Sequence, residues 1–355
     1  MELHIEELRS SDLKEKRLDK LSFGVDFTDR MFVMEYDKGK GWHSARITKF
    51  QNFSLSPATM AFHYGQAAFE GLKAYPRTNA KAALFRPERN LRRMNVSADR
   101  LCMPPIDEEF VLDCLKTLVR LESDWIPRGE GQSLYIRPTY VGVDPMIKVH
   151  ASSKYLFFII LSPVGAYFER GFSAARILVE DEFSRAAKGG TGFTKACGNY
   201  GASLKAGEKA AKSGYDQVLW LDACDHRYVE EVGSMNIFFV IDGKLVTPAL
   251  HGSILPGITR DSTITLARDL GYEVEERMVP IDEVLEGIES GRVQEVFGTG
   301  TACVISPVGV LGFKGRDYVV GDGGVGPITR RLYEELTSIQ YGKAEDRFGW
   351  VHIIE

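Results

Sequence analysis

The hydrophobic positions of this chain fall into short segments of two different periods. Residues 31–36, 45–50 and 81–84 read as strands. Residues 90–101 place Leu91, Met94 and Leu101 on one side of a helix. A second helix opens at Asp107, an N-cap residue followed by Glu108 and Glu109 in the dipole-positive first turn. Val111, Leu112, Leu115, Leu118, Val119 and Leu121 supply its apolar face. Two buried strands follow at 133–140 and 154–162. The first twenty residues read as a charged arm.

Over 163–171 the pattern loses its period, and the punctuating residues there predict a linker. Beyond it come a strand at 175–179, a glycine-rich loop, a helix at 200–213 and a strand at 217–222. A hairpin over 235–246 turns at Asp242-Gly243. Helices at 259–270 and 282–289, a strand at 295–298 and a closing helix from Pro327 to about 339 complete the chain. Strands and helices alternate, but hairpins interrupt them, which predicts mixed α/β (α+β) domains rather than a doubly wound sheet. The expected division is an N-terminal domain over 1–164, a linker over 165–176 and a C-terminal domain over 177–355.

Composition narrows the class. The 355 residues suggest two domains. A hydrophobic fraction of 44% and a charged fraction of 26% are those of a globular chain, not a disordered one. Asp plus Glu, 49, exceeds Lys plus Arg, 44, so there is no basic excess to bind nucleic acid. Five scattered cysteines without C-x-x-C spacing do not form a disulfide framework and fit a reducing compartment. The charged N-terminal stretch lacks the apolar core of a signal peptide, and the most apolar run, 155–164, is too short to span a bilayer. The expectation is a cytoplasmic protein with no membrane partner. The seven histidines show no H-x-x-x-H spacing, so no metal is expected, and no G-x-S-x-G elbow indicates a serine hydrolase.

The strongest chemical feature is the loop Gly189-Gly-Thr-Gly-Phe-Thr-Lys195-Ala-Cys-Gly-Asn-Tyr-Gly201. Five glycines surround one lysine. Glycine permits close approach of a ligand, and a lysine in a tight, poorly solvated setting loses basicity and becomes a nucleophile or base. Composition alone is equally consistent with a flexible loop and a solvated lysine. The loop is not a P-loop, because Thr194 rather than glycine precedes the lysine. Leu255-Pro-Gly-Ile-Thr259 opens a helix whose N–H groups suit a phosphate, and Gly298-Thr-Gly-Thr-Ala302 is a small-residue turn able to act as a nest. Each is weak alone. With a glycine-framed lysine they suggest a phosphorylated, covalently held cofactor, and pyridoxal 5′-phosphate fits.

From Phe23-Gly nearly to the C-terminus the chain resembles a branched-chain amino-acid aminotransferase of the pyridoxal-phosphate fold type IV class. The stretches that carry the resemblance include His63-Tyr-Gly-Gln-Ala-Ala-Phe-Glu-Gly-Leu-Lys-Ala74, Leu134-Tyr-Ile-Arg-Pro138, Pro163-Val-Gly-Ala-Tyr-Phe168, the Lys195 loop, Val218-Leu-Trp-Leu-Asp222, Glu231-Val-Gly-Ser-Met-Asn236, Ile254-Leu-Pro-Gly-Ile-Thr259 and Glu295-Val-Phe-Gly-Thr-Gly-Thr-Ala302. The resemblance implies a smaller N-terminal α/β domain and a larger C-terminal pseudo-barrel. It implies a homodimer that moves an amino group reversibly, by a ping-pong route through pyridoxamine phosphate, between L-leucine, L-isoleucine or L-valine and 2-oxoglutarate.

The resemblance also assigns residues. Lys195 matches the Schiff-base lysine, which shuttles a proton between the substrate α-carbon and the cofactor C4′. Glu231 matches the carboxylate that faces the pyridine nitrogen, with Glu230 as its solvated neighbour. Tyr200 matches the phenol on the ring oxygen. Arg93, Ile258, Thr259 and Thr301 match the phosphate site, with Arg92 as the solvated member of its pair. Tyr135 and the Thr301-Ala302 N–H groups match the substrate carboxylate site. Phe23, Tyr64, Phe69 and Tyr167 match the walls of the side-chain pocket. Arg137 at the rim would pair with the distal carboxylate of glutamate. Ile147 and Val149, on the loop 141–149, would cap the pocket of a partner subunit.

Three departures from relatives stand out. Cys303-Val-Ile-Ser306 lacks the second thiol of a C-x-x-C pair, so no thiol switch is expected there. Cys197-Gly198 stands where relatives usually have two glycines, and that thiol is either open to alkylation or a space filler. Ser234 replaces a threonine with the same hydrogen-bonding capacity. A D-amino-acid aminotransferase or a lyase of the same fold is the nearest alternative. The aromatic pocket and the Tyr135/Arg137 pair speak against it.

Overall fold

A computed structural model of the chain describes residues 1–19, 21–167 and 172–355. The chain divides into two compact units: unit 1 holds Met1–Tyr167, Thr194–Gly198 and Ile339–Glu355, and unit 2 holds Phe168–Phe193 and Asn199–Ser338. Residues 339–355 thus leave the expected C-terminal domain, and with them the N-terminal unit becomes the longer of the two. The proposed linker 165–176 includes 168–171, which lie outside the described residues. Pro163 and Val164 end a strand rather than begin a linker.

Unit 1 is built on a sheet of nine strands in the order His4–Ile5, Gly41–Lys49, Arg30–Asp37, Lys154–Val164, Ser133–Gly142, Leu72–Tyr75, Ala82–Phe85 and Val351–Ile354, with Ala67–Phe69 also paired to Ser133–Gly142. The N-terminal arm therefore contributes a strand, His4–Ile5, parallel to Gly41–Lys49. Two helices, Pro87–Arg100 and Glu108–Leu121, belong to the same core. Asp107 caps the second, its carboxylate accepting from Phe110 N at 3.0 Å. The helices bury Leu91, Met94, Ala98, Val111, Leu115 and Leu118 with Phe32, Ile47, Leu134, Ile136 and Phe157 of the sheet. Each fully buried aliphatic side chain of this kind contributes about 1.5–3 kcal/mol.

The strand Ser133–Gly142 positions chemistry by its two-residue period. Leu134 and Ile136 point into the core, so Tyr135 and Arg137 share the opposite face.

Unit 2 also carries a nine-stranded sheet. Its strands Val229–Val232, Gln217–Leu221, Ala175–Glu180, Val304–Phe313, Val293–Gly300 and Met235–Ile241 pair in that order, and Val229–Val232 also pairs with Met235–Ile241. Those six strands form a closed ring, the barrel-like sheet expected of fold type IV. The hairpin turns at Asp242-Gly243, as its sequence predicts, with both residues at positive φ. The expected helix over 200–213 is broken into Gly198–Gly201 and Leu204–Lys212. Among the described residues no helix is long and apolar enough to cross a membrane.

Candidate active site

In unit 1 the lysine segment is held as an added strand. Ala196 bridges Ala68, Cys197 N donates to Ala67 O at 2.9 Å, and Phe69 N donates to Lys195 O at 3.1 Å. Lys195 N donates in turn to Ser97 Oγ of the helix Pro87–Arg100 at 3.0 Å. These hydrogen bonds fix the backbone on both sides of the lysine, which argues against a flexible loop. Lys195 Nζ lies 4.8 Å from the Phe69 ring centroid. Burial, and secondarily the positive charge of Arg93, push its amine down from the usual 10.5 to about 8, while Glu70 opposes the shift.

Arg93 is buried beside it and clamped by Glu70. Nε donates to Oε1 at 2.7 Å and a terminal nitrogen to Oε2 at 2.9 Å, a bidentate pair. Asn90, three residues earlier and so on the same helix face, donates to Glu70 Oε2 at 2.7 Å. Arg92, one residue away, points outward with a side chain 64% exposed. Tyr135 and Arg137, expected in the site, join this cluster: Arg137 donates to the Tyr135 hydroxyl at 3.0 Å and its guanidinium lies 4.6 Å from the Phe69 ring. Gly71 makes room for that hydroxyl, since a Cβ there would sit 2.1 Å from Tyr135 Oη. Phe23 packs edge-on against Tyr135 at 4.8 Å.

The remaining expected pocket residues of unit 1 lie at its surface. Tyr64 ends the short helix Met60–Tyr64, and Tyr64 and Tyr167 are both exposed. Ile147 and Val149 are 69% and 79% exposed. Asp144 anchors that loop by accepting from Ser153 N at 2.7 Å and Ser153 Oγ at 3.0 Å. Gln66 anchors it by accepting from Ser152 N at 3.1 Å.

In unit 2, Glu231 is a buried carboxylate with a dense set of donors. Oε1 accepts from Leu255 N and Asn236 Nδ2, each at 3.1 Å, and Oε2 lies 2.7 Å from Arg185 Nε as an ion pair outside hydrogen-bond alignment. A cavity of about 460 Å³ is lined by Glu231 and Arg185 together with Tyr200, Ser234 and Leu255. The helix Ile258–Asp269 opens at Gly257 with no side-chain cap. A Cβ at Gly257 would lie 2.0 Å from Asn236 Oδ1, so this glycine is required for the helix entry. Thr259 is buried in the first turn. Thr301 and Ala302 form the tight turn between Val293–Gly300 and Val304–Phe313. The turn leads into Val304, held at φ 63°, a strained conformation for a β-branched residue.

These residues fit pyridoxal phosphate by their donor chemistry. An amine of lowered basicity, a buried arginine and an uncapped helix N-terminus suit an aldehyde and a phosphate, and an ion-paired buried carboxylate suits a protonated ring nitrogen. Among the described residues no group of three or more His, Cys, Asp or Glu side chains could hold a metal ion.

Three findings lie outside the sequence reading. Glu230 is not solvated but 2% exposed. Glu70 and Arg185 are partners of expected site residues that sequence reasoning missed. Glu70 lies inside the matched stretch 63–74, so its position was the available signal, whereas nothing local marks Arg185. Cys197 is half-buried, and its burial pushes the thiol up against the opposing charges of Arg137 and Lys195.

The chain matches the family "Amino-transferase class IV" over residues 67–310. It is 54% identical over 331 residues to branched-chain-amino-acid transaminase 1 of Bacillus subtilis (strain 168), covering 93% of each chain. Among solved structures it resembles the T.th. branched-chain amino acid aminotransferase complexed with N-(5′-phosphopyridoxyl)-L-glutamate, with a TM-score of 0.75, 28% identity and coverage of 91% of this chain and 98% of that one. The branched-chain amino acid aminotransferase of Escherichia coli matches with a TM-score of 0.75, 28% identity and coverage of 91% and 99%.

Proposed function

This chain belongs to the class IV aminotransferases and, within them, to the branched-chain-amino-acid transaminases; on that premise we propose how its residues divide the work of amino transfer between L-leucine, L-isoleucine or L-valine and 2-oxoglutarate. The cofactor is pyridoxal 5′-phosphate, which when bound supplies an electron sink for the substrate α-carbon.

Arg93, the N–H groups of Ile258 and Thr259, and Thr301 hold the phosphate. Glu70 supports this assignment, because a bidentate carboxylate fixes the plane of the Arg93 guanidinium before any ligand arrives. Glu231, paired with Arg185 and accepting from two N–H donors, faces the ring nitrogen and holds its proton. Tyr200 donates to the ring oxygen.

Lys195 holds the cofactor and moves the proton of the substrate α-carbon. An amine near 8 suits that task, since at neutral pH it is near enough to its midpoint to take a proton and return it. The Tyr135 hydroxyl already accepts from Arg137, so its own proton is directed elsewhere, and the substrate α-carboxylate is the acceptor we assign to it. The Thr301 and Ala302 N–H groups share that carboxylate.

Phe23, Tyr64, Phe69 and Tyr167 form the apolar walls and exclude water. Arg137 pairs with the distal carboxylate of glutamate or 2-oxoglutarate, and its stacking on Phe69 lets it rest on the wall when an aliphatic side chain is bound. Ile147 and Val149 cap the pocket of a second copy in a homodimer, a reading supported by their exposure on a tethered loop. The enzyme works in the cytoplasm, as its five free cysteines suggest.

The observation that carries this reading is the lysine segment, its backbone fixed by hydrogen bonds to Ala67, Phe69 and Ser97, in the same unit as an Arg93 clamped by Glu70. The visible absorption spectrum of the purified protein tests it. L-leucine should abolish the band of the bound cofactor and 2-oxoglutarate should restore it, with D-leucine inert. A protein that stays colourless after pyridoxal phosphate is supplied refutes the reading.

A further inference from the structure

Glu230 and Glu231 are neighbours on the strand Val229–Val232, and both are buried, at 2% and 3% exposure. Arg185 serves this region from the side. Besides its ion pair with Glu231, it donates to Gly192 O at 3.2 Å and to Ser253 O. Ser253 Oγ donates to Glu230 Oε1, and His251 Nδ1 lies 3.4 Å from the same hydroxyl. Two residues on, Leu255 N donates to Glu231 Oε1 at 3.1 Å, while Leu255 O accepts from Asn236 Nδ2 at 2.9 Å. The buried segment 253–255 is therefore tied at one end to Glu230 and at the other to Glu231.

Glu230 is a buried carboxylate with one oxygen engaged by Ser253 and the other not. Its Oε2 has no hydrogen-bond partner among the described residues, and burial pushes its carboxyl above the usual carboxylate range. Leaving a buried acceptor unpaired is unfavourable, so stability alone does not account for a glutamate here.

We propose that Glu230 is a positioning residue for Glu231: through the Ser253 hydroxyl it sets the 253–255 backbone, and with it the Leu255 N–H and the Arg185 guanidinium that hold Glu231. Glu230 itself touches neither cofactor nor substrate. The proposal rests on the assignment of Glu231 to the cofactor's ring nitrogen. It deepens that assignment by naming what keeps the carboxylate aimed.

The test is equilibrium binding, by the full chain freed of cofactor, of pyridoxal phosphate and of its analogue with a carbon in place of the ring nitrogen. The ratio of the two affinities isolates the ring-nitrogen contact. Glu230→Ala should shrink the preference for pyridoxal phosphate about 3- to 10-fold, the worth of one misplaced hydrogen bond. Ser253→Ala should do the same, and it serves if Glu230→Ala does not fold. Glu230→Gln keeps an acceptor for Ser253 and should hold the preference within about two-fold of the parent protein. A purely structural role would weaken both ligands equally and leave the ratio unchanged. That result, alongside a lost preference in Glu231→Gln, overturns the proposal and leaves the reading of Glu231 standing. An unchanged ratio in Glu231→Gln overturns the reading of Glu231, and the proposal with it.

Discussion

Glu70 grips Arg93 with both of its oxygens, at 2.7 and 2.9 Å, in a setting where the carboxylate side chain is fully buried and the arginine 8% exposed. A pair of this kind repays its desolvation only while both members are present. Glu70→Gln should therefore cost about 3 kcal/mol of stability, since a buried guanidinium is left without its counter-charge. It should also weaken cofactor binding, because the bidentate contact that orients the Arg93 guanidinium is lost. Urea denaturation and cofactor titration measure both, and a loss well under 1 kcal/mol would contradict this account of the pair.

The lowered amine of Lys195 gives a pH prediction. In the cofactor-free protein the amine titrates near 8, not at 10.5, so its acylation by a dilute reagent should rise through about 8 while other lysines respond at higher pH. The sign for stability follows. Between about 8 and 10.5 the unfolded chain holds a proton at this site that the folded chain does not, so this site contributes a rise in stability with pH across that window. Peptide-resolved mass spectrometry of the labelled protein checks the midpoint.

Removing the amine should remove the reaction. Lys195→Ala should lose at least about 10²- to 10⁴-fold in turnover, the usual worth of a positioned proton carrier. Phosphate contacts should still retain some cofactor, visible as protein-bound absorbance after gel filtration. Near-normal turnover would refute the role.

Arg137 should separate the two substrates. Only glutamate and 2-oxoglutarate bring a second carboxylate, and a hydrogen bond to a charged group is worth about 1.5–3 kcal/mol. Arg137→Ala should thus reduce kcat/KM for glutamate by about ten-fold or more relative to leucine. Equal losses would place its action elsewhere, for instance in holding the Tyr135 hydroxyl.

The exposed pair Ile147 and Val149 predicts an interface. Sedimentation equilibrium should give twice the chain mass for the parent protein. Val149→Asp should raise the dimer dissociation constant or the KM for leucine, while the melting temperature of the isolated chain stays near its starting value, since this side chain is 79% exposed within the chain. A variant unchanged in both respects would remove Val149 from the cap.

Much of this architecture could be read locally. The helices over 90–101 and from Asp107 were legible because three- and four-residue spacing buries one face whatever lies opposite. The strands Arg30–Asp37, Ser133–Gly142 and Lys154–Val164 were legible from continuous or alternating apolar runs. The Gly257 helix entry and the Lys195 loop stood out only in combination, since each alone is equally well an ordinary turn or loop. Short or partly polar strands such as His4–Ile5, Val229–Val232 and Val351–Ile354 were missed, because their stability comes from a partner strand.

Local pattern was thus enough for much of the secondary structure, and the ordered motifs that carry the family resemblance were enough for the class of chemistry. Partnership was decided only in three dimensions. Arg185 reaches Glu231 across 46 positions of sequence, Glu70 meets Arg93 across 23, and Val351–Ile354 closes onto Ala82–Phe85 from the far end of the chain. No short-range rule encodes such contacts. They exist because buried charges require counter-charges and strand edges require hydrogen bonds, and which group answers depends on how the whole chain packs.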